Sequence, residues 1–173
     1  MSPGKTLAGG CLALALAGLP ATGVAQATPP GAVWRAFEGS WAISGQRYTV
    51  PVEGGATAAV FEASGAVALT KAEGLSHGFR GEALTFDDGL GVSLGRAVWT
   101  DEHGDRLFSR LKGEPLETGK RIVGTITGGT GRYAGLEGDY SFTWQYMLSA
   151  DDGVIQGRGV RLQGRVRRKG TTP

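Results

Sequence analysis

Along most of this chain apolar side chains recur at every second position. In "RYTVPV" the residues Tyr48, Val50 and Val52 alternate with polar or small neighbours, and in "GAVALTK" Val67 and Leu69 do the same. In "GVSLGRAVWTD" the residues Val92, Leu94 and Val98 share a face, and "KRIVGTIT" continues the pattern. In "GRGVRLQGRVRR" Val160, Leu162 and Val166 face one way, with Arg161, Gln163, Arg165 and Arg167 facing the other. A period of two with one polar face predicts half-buried antiparallel strands. Turn-forming clusters punctuate them: "EGG" at Glu53, "ASG" at Ala63, "DDG" at Asp87, "DEHGD" at Asp101 and "ADDG" at Ala150. Strands at intervals of about 8–12 residues predict an all-β domain over residues 32–170, either an up-and-down antiparallel barrel of about eight strands or a sandwich. Glycine, at 31 of 173 residues, fits many short segments, and helix is expected to be nearly absent.

One stretch offers two readings at once. In "TGGTGRYAGLEGDYSFTWQYML" Gly129, Gly131 and Ala134 match the G-x-G-x-x-A spacing of dinucleotide-binding loops, and "RIVGTIT" before them reads as a strand. Phosphate binding in that motif requires the loop to open a helix, whose free amides and dipole face the pyrophosphate. Here Tyr140, Phe142, Trp144, Tyr146 and Leu148 come after the loop at period two, which marks a strand instead. Gly128, Gly129, Gly131 and Gly135 are therefore expected to be structural, set by backbone conformation or close approach. The aromatic row must face a packed interior or a binding lumen, since a barrel of about eight strands either fills itself or holds one small molecule.

The run "ITGGTGRYAGLEGDYSF" resembles the glycine-rich segment of the allene oxide cyclase and dirigent superfamily, a set of small calycin-like β-barrels. "GRAVWTDEHGDRLFSRLKGE" together with "GGTGRYAG" is similar to bacterial exported proteins of uncharacterised function. The resemblance covers roughly Gly95 to Phe142. It implies an eight-stranded antiparallel barrel, often a homo-oligomer, whose apolar cavity steers a reactive intermediate toward one product. The acidic and polar cavity residues of the plant enzymes have no match here.

Candidate chemistry is sparse. His77 and His103 stand in loops without ligand-type partners at strand or helix spacing. Asp101 and Asp105, with Glu102 between them, could offer oxygens to a hard cation, but the expected reading is an Asp-capped hairpin turn. No metal or cofactor is expected. Arg96 shares a face with Val92, Leu94 and Val98. If that face is interior, the charge needs Glu82, Asp101, Glu114 or an anionic ligand, because an unpaired buried charge costs several kcal/mol. A bulge at Gly91 or Gly95 would turn Arg96 outward, and the alternative register would bury Trp99 instead. The lumen candidates are Arg96, Trp99, Tyr140, Phe142, Trp144 and Tyr146. No serine–histidine–acid or paired-carboxylate set can be assigned from spacing.

Composition narrows the setting. Residues 1–27 have the layout of a secretory signal: Lys5, the apolar run "CLALALAGLPATGVA", and "AQA" before Thr28. Residues 28–31 read as a disordered lead and 171–173 as a loose end. Cleavage after Ala27 would remove Cys11, the one cysteine, leaving no thiol chemistry and a chain suited to a periplasmic or secreted location. The full-chain formal charge of +2 carries no general pull toward nucleic acid, and no segment is read as a membrane span. Arg158, Arg161, Arg165, Arg167, Arg168 and Lys169 crowd the last strand, either as a solvated face or as a contact for an anionic partner.

The expected function is binding of a small apolar or amphipathic molecule in the barrel. The alternatives are a cyclase or isomerase acting by orientation within the cavity, and a filled structural or interaction barrel. An ionisable residue in the cavity would favour the enzyme, a wholly apolar cavity the binder, and a filled interior the third.

Overall fold

In the computed structural model, which describes residues 33–116 and 119–170, eight antiparallel strands close into a barrel. They are β1 (Arg35–Pro51), β2 (Thr57–Ala72), β3 (Gly78–Asp87), β4 (Ser93–Asp101), β5 (Arg106–Pro115), β6 (Lys120–Gly129), β7 (Leu136–Ser149) and β8 (Val154–Arg168). Each strand pairs with its neighbour in sequence, and β8 returns beside β1. The expected signal segment, the lead at 28–31 and the end at 171–173 lie outside the described residues. Among the described residues no helix is long and apolar enough to cross a membrane.

The connections divide between two ends. The turns β1–β2, β3–β4, β5–β6 and β7–β8 surround one end; the turns β2–β3, β4–β5 and β6–β7 surround the other. The chain also enters and leaves at this second end, where Arg35 pairs with Val166 and Phe37 with Ala72. Four of the five expected turns form. The exception is "ASG" at Ala63, which runs through the middle of β2 with Gly45 opposite Ala63 and Gly65 opposite Ile43. A Cβ on Gly65 would collide with the Ala42 carbonyl, so this glycine serves close strand approach rather than a turn.

Rings packed over glycines build much of the barrel's interior. The Trp41 indole lies on Gly81, Tyr140 on Gly124, Trp144 on Gly157 and Phe142 on Gly159, each where a Cβ would clash with the ring. Phe37, Trp41, Phe79, Trp99, Tyr133, Tyr140 and Phe142 form one buried aromatic cluster, with the closest centroids, Trp99 and Tyr140, 4.8 Å apart. Such tilted and edge-on contacts add to the area each ring buries. The indole N–H groups of Trp41 and Trp99 are left buried without a partner, a penalty that goes with filling a β-interior by large rings.

The last strand departs from its simple alternation. Pairing slips between Gly159 and Leu162 on the β1 side of β8 and between Val160 and Gln163 on its β7 side, and Arg161 takes a φ of 54°. This bulge hands the inward face from Ile155, Gly157 and Gly159 to Leu162, Gly164 and Val166, so Val160 is only half-buried. The basic residues of this strand are largely engaged locally. Arg165 pairs with Asp139 at 3.1 Å, Arg167 with Glu137 at 2.8 Å, and Arg168 donates to the carbonyls of Ala134 and Arg132. Arg165 and Arg167 also stack on the Trp34 ring at 4.5 and 4.4 Å. Arg158 and Arg161 remain exposed.

Candidate functional site: a plugged end and an open end

The acidic "DEHGD" turn and the glycine-rich "GGTGRYAG" loop meet at the end where the chain enters. Asp101 closes β4, and its buried carboxylate accepts from the N–H groups of His103 and Asp105 at 2.8 and 3.0 Å, which makes the expected Asp-capped turn. Its other oxygen accepts from the Tyr133 hydroxyl at 2.7 Å and pairs with Arg132 at 2.9 Å. The Tyr133 hydroxyl accepts in turn from the Ser76 N–H at 3.3 Å, while the Ser76 hydroxyl donates to Glu102 at 2.7 Å. Three loops from different hairpins are thereby tied to one carboxylate. Tyr133, fully buried, is the plug.

The glycines of this loop serve geometry. Gly131 has a φ of 49°, and any side chain on it would run into the Asp105 carboxylate; Gly135 has a φ of 72°. Gly129 instead packs against the Tyr133 Cβ, and Gly128 sits beside the slip between β5 and β6. A short 3-10 turn, Gly131–Tyr133, leads into β7, so no helix opens behind the loop and the nucleotide reading falls.

One guanidinium offsets part of the charge of the three carboxylates in the cluster. Asp101, Glu102 and His103 bring ligand-type atoms together, but Arg132 already bridges Asp101, Glu102 and Asp105. Burial pushes the Asp101 carboxyl upward, and the donors from Tyr133, His103 and Asp105 together with the Arg132 charge outweigh it, holding its pKa below the ordinary 3.8. Burial and the bond to Asp101 raise the Tyr133 phenol.

The opposite end is hollow. A cavity of about 300 Å³ opens among the turns, with Trp41, Ile43 and Phe142 against the aromatic cluster and with Phe61, Ile122, Trp144, Tyr146 and Ile155 around its wall. Small residues at Ala63, Ala83 and Gly113 leave the space that larger side chains would fill. Its charged side chains are Asp87 and Lys120, which form an ion pair from the end of β3 to the start of β6. Burial lowers the Lys120 pKa. Tyr140 is sealed beneath this space, its hydroxyl donating to Ser109 at 3.0 Å, and burial raises its pKa.

The lumen candidates therefore separate. Phe142, Trp144 and Tyr146 line the cavity, with Tyr146 about half exposed at the rim. Trp99 and Tyr140 point inward but belong to the packed cluster next to it. Arg96 is a correction: it faces solvent, opposite Leu84 on β3 and Arg110 on β5, with no slip in β3–β4 pairing. Its strand places Ala97, Trp99 and Asp101 inward, leaving Leu94 and Val98 on the outer face. Burying an indole outweighs burying two aliphatic side chains together with an unpaired guanidinium.

Trp41, Lys120 and Asp87 were not among the sequence candidates. "FEGSWAISG" does alternate Phe37, Trp41 and Ile43 with period two, a signal that could have found the floor. The ion pair, whose members lie 33 residues apart, has no local signature. Comparisons of the chain with protein-family models, curated proteins and solved structures returned no match.

Proposed function

We propose that the open end binds a small apolar or amphipathic molecule, in a protein exported to the periplasm or beyond the cell. The observation that carries this reading is the cavity of about 300 Å³ with an aromatic floor and few polar groups, at the small end of the range for ligand pockets, about 300–1,000 Å³. The resemblance to allene oxide cyclase and dirigent barrels supports the same use of the lumen. The hollow half of the barrel weighs against a filled interaction module.

A second reading, an isomerase or cyclase acting by orientation, draws on the ionisable pair that the cavity holds. Binding without chemistry is preferred because Lys120 and Asp87 neutralise each other and, among the described residues, no further titratable partner is arranged behind either of them as in a proton relay. The test is uptake of the uncharged fluorescent probe N-phenyl-1-naphthylamine by the wild type and by Ala83→Phe, which fills the cavity from β3. Stoichiometric uptake by the folded wild type and its loss in the variant are expected. Equal uptake by both, or none by the folded wild type, would overturn the reading.

A further inference from the structure

Two strands separate Lys120 from Asp87, and the lysine reaches across them because of one glycine. A Cβ on Gly113 of β5 would strike the Ser93 hydroxyl and lie 2.9 Å from the Lys120 Cδ. The absent side chain is the channel through which the ammonium arrives at the rim. Asp87 accepts there from Lys120 with one oxygen and from the Gly89 N–H at 2.9 Å with the other. An ammonium has three donors and a carboxylate about four acceptor positions, so both groups keep unused hydrogen-bonding capacity. Thr85 and Ser93 flank them, and the rest of the cavity wall is almost entirely apolar.

We propose that this pair is a head-group anchor, and that the cavity selects an uncharged apolar molecule ending in a single hydroxyl. The inference rests on the binding reading above and specifies its ligand class. A hydroxyl is the smallest head that uses both members, donating to the Asp87 carboxylate and accepting from the Lys120 ammonium. A carboxylate would be drawn to Lys120 but repelled by Asp87, and an amine would meet the reverse. A hydrocarbon would fill the apolar wall and leave the pair unused. Because Asp87 neutralises the lysine, the site discriminates by dipole rather than by net charge.

The experiment measures binding of hexanol, hexanoate, hexylamine and hexane to the wild type, Lys120→Met and Asp87→Asn, by quenching of intrinsic tryptophan fluorescence. Circular dichroism monitors folding. Wild type is expected to bind hexanol about tenfold more tightly than each of the other three probes. Lys120→Met should move the preference to hexylamine by leaving the Asp87 charge unpaired. Asp87→Asn, which preserves an acceptor for the Gly89 N–H, should move the preference to hexanoate by freeing the lysine charge. Binding of all four probes by the wild type with no preference for hexanol would overturn the anchor and leave the binding reading standing. An unchanged order of affinities in folded Asp87→Asn would do the same, whereas no binding of any probe by the folded wild type would sink the binding reading itself.

Discussion

The two ends of this barrel use the same strands for opposite purposes. At the entry end, polar groups converge: one buried carboxylate gathers two backbone N–H groups, a phenol and a guanidinium from two loops, and a third loop joins through Ser76 on the phenol. At the other end, polar groups are few and the space between the strands is left open. The contrast teaches that this fold does not distribute its packing evenly. It concentrates its polar ties at the entry end, in a saturated lock, while at the other end rings over glycines form the floor and wall of a hollow.

The most severe way to break that contrast is Asp101→Ala. It would leave the Tyr133 phenol and two backbone donors without their acceptor in a buried setting and remove one of the partners of Arg132, and a loss of about 3–5 kcal/mol in urea-induced unfolding is expected. A loss below about 1 kcal/mol would mean that the loops hold without the lock.

A smaller effect should appear with acid. The folded Asp101 carboxyl titrates below its ordinary 3.8, so its contribution is complete above that value and disappears as pH falls through the lower folded value. In that window the unfolded chain binds more protons, and stability rises with pH. Asp101→Asn should flatten this part of a stability–pH profile measured by thermal unfolding; an identical acid slope in the variant would assign the effect to other carboxylates.

The smallest effect belongs to the open end. The Lys120–Asp87 pair is partly exposed, and Lys120→Met is expected to change unfolding free energy by about 1 kcal/mol or less. A change as large as that of Asp101→Ala would show that the rim is structural and erase the contrast between the ends.

Much of this is legible in the amino-acid sequence. The strand after Gly135 and the structural role of the glycine loop could be read from an uninterrupted aromatic alternation, which only an extended backbone can place on one wall. Where two alternations competed, as on β4, the pattern could not choose, since Val92, Leu94 and Val98 form as regular a row as Ala97, Trp99 and Asp101. The choice is made by what lies across the barrel, where Trp99 meets Phe37, Trp41, Phe79 and Tyr140. The bulge at Arg161 and the rim ion pair were hidden for the same reason: each depends on closure of the sheet, which brings together residues that no window of sequence contains.

Both ends of the described barrel chain, Arg35 and Arg168, lie on the side sealed by Tyr133. Tethering the barrel at either of these strand ends, to a bead or a support, would hold it like a cup standing on its base. The hollow would then face whatever medium surrounds the support.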